Sequence, residues 1–123
     1  MDKETHALIA VVHFDIAEEQ HEQYLNKDGK EKTAVRCVAA QNYFYSAINV
    51  IEAMLAEKEL HSFSHEDRAR KIIDNSGLFS KEMIELFDQI DRNVRNRVAY
   101  RGENGKKYDL LRKFALLMIG EIR

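Results

Sequence analysis

The chain has 123 residues, which suits one domain with a hydrophobic core of its own and spans residues 1–123 without an internal boundary. A net charge of −2 excludes wholesale coating of nucleic acid and makes DNA an unexpected partner, and a single cysteine excludes an internal disulfide. The longest apolar stretch, Ala7 to Val12, is too short for a bilayer, and the M-D-K-E-T start has no cationic run leading into an apolar block, so the expectation is a cytoplasmic protein with no membrane segment.

There is no proline and there are five glycines, a composition that fits helices with few tight turns. The first helix is predicted from about Glu4 to Leu25, with Leu8, Val11, Val12, Ile16 and Tyr24 as its apolar side. Gly29, in N-K-D-G-K, marks a turn. The second helix is predicted from about Lys32 to Glu59, where Val35, Val38, Tyr45, Ile48, Ile51, Met54 and Leu55 recur at helical spacing. Cys37 sits among Val35, Val38 and Ala39 and is expected to be a small buried side chain.

A short third helix follows in S-H-E-D-R-A-R-K-I-I-D-N, capped by Ser64. A fourth begins after Ser80 and carries Met83, Phe87, Ile90, Val94 and Val98 as a core stripe. The last helix carries Leu111, Phe114, Leu117, Met118 and Ile122. No strand alternation competes with these patterns. The fold class is all-α, an up-and-down antiparallel four-helix bundle with an additional short helix.

The charge is unevenly placed. Arg92 to Lys107 holds six of the nineteen basic residues and one of the twenty-one acidic ones, a local charge of +5 that leaves −7 on the rest. On a wheel of 100° per residue, Arg92, Asn96 and Tyr100 run along the side opposite the core stripe, flanked by Asn93 and Arg95. A solvated face is the plain reading. Against it, Asn93 and Asn96 are poor helix-interior residues, and all four charged residues from 92 to 102 are arginines with no acidic ladder beside them. Clustered guanidinium groups suit phosphate. The candidate phosphate- or nucleotide-binding residues are therefore Arg92, Arg95, Asn96, Arg97, Tyr100 and Arg101.

Three stretches resemble the HEPN domain family of prokaryotes. They are A-A-Q-N-Y-F-Y-S-A-I-N-V-I-E-A-M-L in the second helix, the H-S-F-S-H-E connection, and R-N-R-V-A-Y-R-G from Arg95 to Gly102. The last is similar to the family's R-x(4–6)-H motif with a polar residue directly after the arginine. The resemblance covers about residues 34 to 119 and implies a HEPN-like bundle, a homodimer, and nucleotide or RNA as ligand. It also implies a minimal nucleotidyltransferase as partner, in a toxin–antitoxin-like system. The alternative it implies is a metal-independent endoribonuclease toxin, with Arg95, Asn96 and Tyr100 at the catalytic positions. The departure is Tyr100, which stands where the family has histidine. A phenol with a reference pKa near 10 does not shuttle protons at neutral pH as imidazole does, but it can donate a hydrogen bond to phosphate. A second role for Tyr100 under the same resemblance is acceptor of a nucleotidyl group.

No cofactor or metal is expected. His6, His13 and His21 lie on the first helix, and His61 and His65 straddle the turn before the third, without the acidic or cysteine partners of a metal site. His65 reads as a structural residue at the start of the third helix. Glu18, Glu19 and Glu22 read as a solvated face. There is no glycine-rich phosphate loop, G-x-S-x-G or C-x-x-C.

Overall fold

The computed structural model describes the backbone of residues 1–95 and 105–123, and the side chains of residues 1–91 and 107–123. Five α-helices are present among them: α1 (Lys3–Leu25), α2 (Gly29–Ala56), α3 (His65–Asp74), α4 (Lys81–Arg95) and α5 (Gly105–Ile119). A 3₁₀ turn, Ser76–Leu78, joins α3 to α4, and there is no strand among the described residues.

The helix starts are written in polar side chains. The Asp2 carboxylate accepts from the Thr5 N–H at 2.8 Å, Ser64 Oγ from Asp67 N–H at 3.0 Å, and Ser80 Oγ from Met83 N–H at 3.2 Å. Each supplies a partner to an amide that the first helical turn leaves unpaired. The α1–α2 reversal is tighter than the sequence pattern predicts, and α2 begins at Gly29 instead of near Lys32. Gly29 has φ +61, a left-handed conformation that glycine adopts without a steric penalty. The far end of α2 closes differently. Glu59 is also left-handed, at φ 58, while Leu60 N–H reaches Leu55 C=O at 3.1 Å and Glu59 N–H reaches Ala56 C=O at 3.0 Å. This is the Schellman pattern, with glutamate where glycine is usual.

The first two long helices run in opposite directions. His6 meets Asn49 and His13 meets Asn42, so α1 and α2 are antiparallel. α4 packs on α5, where Phe87 meets Phe114 and Glu82 meets Lys113. α5 also lies against α1 and α2, through Tyr108 with His21 and Tyr43. The core between the helices includes Tyr43, Ile51, Leu55, Leu111, Phe114 and Met118, with Met83, Leu86, Phe87 and Ile90 from α4. Buried Glu52 of α2 accepts from Arg68 Nε at 2.9 Å, which fastens α3 to the bundle.

The core stripe of α4 is as expected for Met83, Phe87 and Ile90; the side chains of Val94 and Val98 lie outside the described residues. The apolar side of α1 is not as expected. Ala10, Phe14 and Ala17 are buried, whereas Leu8, Val12 and Ile16 are exposed. On α2, Ile48, Ile51 and Leu55 are buried, but Val38 and Tyr45 are exposed. The physical reason is a seam of small residues. Ala10 and Ala17 face a helix that itself buries Ala39, Ala40, Ser46, Ala47 and Ala53. The backbones come close enough for Ser46 Oγ to donate to the Ala10 carbonyl at 2.7 Å. Larger side chains do not fit that seam and turn outward. Cys37 is half-buried instead of buried.

Candidate functional site

The basic stretch runs from the end of α4 into the start of α5, and both flanking helices are anchored in the core. Of the predicted phosphate-binding residues, Arg92 and Arg95 lie in α4 with side chains outside the described set, and Asn96, Arg97, Tyr100 and Arg101 lie outside the described residues altogether. What is described is one end of the bundle, at the first described residues of α5. That end holds the last turns of α1, the first turns of α2, and Tyr108 and Arg112 of α5.

A part-buried polar group is built there, around the buried Tyr43. The Tyr43 hydroxyl donates to Glu18 Oε1 at 2.6 Å and accepts from Arg112 Nε at 3.1 Å, while Arg112 Nη2 reaches Glu18 Oε2 at 3.3 Å. One phenol, one carboxylate and one guanidinium thus close a ring of hydrogen bonds across α1, α2 and α5. Beside it, Tyr108 Oη lies 2.7 Å from His21 Nδ1. The Tyr108 ring also packs against Tyr24 and Tyr43, with centroids 5.2 and 6.1 Å away.

Burial sets the protonation of this group. Desolvation, joined by the hydrogen bond to Glu18, pushes the Tyr43 phenol above its usual range, and desolvation pushes Tyr108 up as well. Desolvation and then the Arg112 charge hold the His21 imidazole below its usual value, against the opposing pull of Glu18, Glu22 and Asp109. His21 is therefore uncharged at neutral pH, and Tyr108 Oη and His21 Nδ1 share a hydrogen bond between two neutral groups. The arrangement anchors the first two turns of α5 to α1 and α2. It fixes the take-off point of the chain that leads back to α4.

Sequence reading placed Glu18 on a solvated face and did not connect His21, Tyr43, Tyr108 and Arg112 at all. The partners are 25 to 94 positions apart, so no local spacing announces them. Arg36 adds a further cation. It lies on α2, seven residues before Tyr43, and its buried Nε has no hydrogen-bond partner among the described residues.

The other histidines serve helix packing. His6 Nδ1 pairs with Asn49 Oδ1 at 3.1 Å and His13 Nδ1 with Asn42 Oδ1 at 2.9 Å, and Asn42 Nδ2 continues to Gln20 Oε1 at 2.9 Å. His65 opens α3, with Nδ1 3.1 Å from Arg68 Nη1 and its ring against Phe44. Among the described residues, no group of three or more His, Cys, Asp or Glu side chains is placed to hold a metal ion. No helix among them is long and apolar enough to cross a membrane.

A concavity of about 260 Å³ lies between α3 and α4. Its floor is Ile72, Ile84 and Phe87 and its rim carries Glu85, Asp88 and Asp91. That rim has the wrong sign for a phosphate. No protein-family model, curated protein or solved structure matches the chain.

Proposed function

We propose that this chain is a phosphate-recognising helical module of HEPN type, binding a nucleotide or an RNA segment and working beside a minimal nucleotidyltransferase in a toxin–antitoxin-like pair. One observation carries the reading: a net charge of +5 gathered between Arg92 and Lys107 in a chain whose remainder is −7. Charge of one sign this concentrated attracts an anion even when the whole molecule does not. The arginines offer paired N–H groups that match phosphate oxygens.

The described bundle is compatible with that use. α4 leads into the segment and α5 leads out of it, and both are held in one core through Phe87 and Phe114. In this reading Arg92, Arg95 and Asn96 hold the phosphate and Tyr100 donates a hydrogen bond to it. The Tyr100 hydroxyl is also the atom on which a partner transferase would place a nucleotidyl group. Hydrolysis of RNA is the less favoured activity, because the motif position that takes up protons is a phenol.

The experiment is an NMR titration with ATP and with a short oligoribonucleotide at low ionic strength. Shifts of the Arg95 and Tyr100 resonances that disappear in Arg95→Ala support the proposal. No shift with either ligand at millimolar concentration refutes it. Cleavage of the oligoribonucleotide in excess chelator, lost in Arg95→Ala, would move the reading to the endoribonuclease.

A further inference from the structure

The buried face of α2 runs back through Val50, Ala47, Tyr43 and Ala40, and one turn further on it reaches Arg36. A guanidinium thus stands where the pattern of that face would place an apolar side chain. The residue is half-buried, and its Nε is shut off from solvent. Among the described residues, neither a hydrogen bond nor an ion pair reaches this guanidinium. Other half-buried arginines of the molecule are matched. Arg68 lies against Glu52, and Arg112 against Glu18 and Tyr43. Arginine does not shed its proton, so taking it from water without an acceptor leaves an uncompensated charge.

The preceding turn repeats the sign. Lys32 lies four residues before Arg36 on the same side of α2, with Nζ 4.7 Å from the centroid of the Tyr24 ring. It has no carboxylate partner among the described residues either. Like charges at this spacing on a helix repel each other. The carboxylates nearby do not relieve the pair. Glu18 is held by Tyr43 and Arg112, Glu31 is held by Lys27, and Glu19, Glu22, Asp28 and Asp109 are exposed. Lys32 reaches Tyr24, and Tyr24 and Tyr43 both pack on Tyr108. Arg36, between Lys32 and Tyr43 on α2, therefore borders an aromatic group where α1, α2 and α5 meet.

We propose that Arg36 and Lys32 together hold a phosphate group, Arg36 through its planar fork of N–H donors and Lys32 as a point charge. Two cations one turn apart suit a phosphate dianion better than the single charge of a carboxylate. The site is carried by α2 and stands whether or not the residues from Arg92 to Arg101 bind phosphate.

Urea unfolding at constant ionic strength tests it, with chloride, about 20 mM inorganic phosphate or about 20 mM ATP. A ligand that binds only the folded chain raises the unfolding midpoint, and the native rise exceeds that of Arg36→Met by at least about 0.5 M. Phosphate also stabilises proteins by exclusion from their surface, and that part is common to both chains. The larger of the two rises identifies free phosphate or a nucleotide as the source. Arg36→Lys keeps the charge without the fork and retains less than half of the difference, and Lys32→Gln also reduces it. In chloride, Arg36→Met is at least as stable as the native chain, because it removes an unmatched charge and keeps the aliphatic stem. Arg95→Ala reports on the basic segment alone. Equal rises in the native chain and Arg36→Met, with both phosphate and ATP, overturn the proposal. So does an Arg36→Met midpoint in chloride more than about 0.5 M below the native one, which would make the guanidinium a structural group.

Discussion

Tyr43→Phe removes one oxygen and leaves the ring, so it isolates the polar group at the bundle end. Tyr43 is fully buried, and its hydroxyl gives a 2.6 Å hydrogen bond to a carboxylate and takes a 3.1 Å one from a guanidinium. Hydrogen bonds to charged groups contribute about 1.5–3 kcal/mol each. The full sum does not apply. The side chains of Glu18 and Arg112 are 33% and 30% exposed, and they keep their own contact at 3.3 Å, so water and each other replace part of what is lost. The expected loss is about 1.5 kcal/mol. With a urea slope of roughly 1.5 kcal/mol/M, the midpoint of unfolding falls by about 1 M. A double-mutant cycle adds specificity: in a Glu18→Gln background the same change costs only about 0.5 kcal/mol, because the acceptor is no longer charged. Tyr45→Phe, at a half-exposed position on the same helix, is the control and moves the midpoint by less than about 0.3 M. A Tyr43→Phe effect no larger than that of Tyr45→Phe, or one unchanged by Glu18→Gln, refutes the hydrogen-bonded ring.

Alkaline titration followed by ultraviolet absorbance should show two of the five tyrosines failing to ionise with the rest, since Tyr43 and Tyr108 are both raised. Their neutral phenols stabilise the fold fully below about pH 10, and that contribution is lost as pH rises further and the unfolded chain ionises first; five phenols titrating together near pH 10 would exclude it. The His21 imidazole, held below its usual value, works in the other direction. Its contribution is present above about pH 6.5 and is lost as pH falls through the lowered folded value, so its NMR midpoint lies below 6.5. A midpoint at or above 6.5 contradicts the burial of His21 beside Arg112. Glu59→Gly should stabilise the protein by about 0.5–1 kcal/mol, measured by urea unfolding, because the left-handed turn after α2 then costs no side-chain clash; a destabilisation would mean that the Glu59 side chain does something the backbone pattern does not explain.

The helices were legible where large apolar residues repeat at helical spacing and a polar cap precedes them. Ser80 with Met83, Phe87 and Ile90 is the clearest case, and Ser64 before α3 is another. α1 was misread because hydrophobic size is a poor guide when the buried seam is made of alanine. Leu8, Val12 and Ile16 outweigh Ala10 and Ala17 in any apolar pattern, yet the close approach of α2 admits only the small residues. α2 starts about a turn earlier than its apolar spacing predicts, because Gly29 carries the turn directly into the helix. The basic segment was legible as charge along the sequence, since clustering needs no tertiary knowledge. Glu18, His21, Tyr43, Tyr108 and Arg112 were not, since only the packing of α1, α2 and α5 brings them together.

The ring around Tyr43 also bears on the order in which the molecule assembles. Its two bonds to Arg112 span 69 and 94 positions, whereas the α1–α2 bonds from Ser46 and Asn42 span 22 to 36. Closing long loops costs more chain entropy before any contact repays it, so the hairpin can condense while α5 is still undocked. Folding kinetics would register this as a high φ-value for Ser46→Ala and one near zero for Arg112→Ala. On a ribosome, the arginine-rich stretch then acquires its second fixed end only once α5 has emerged and docked.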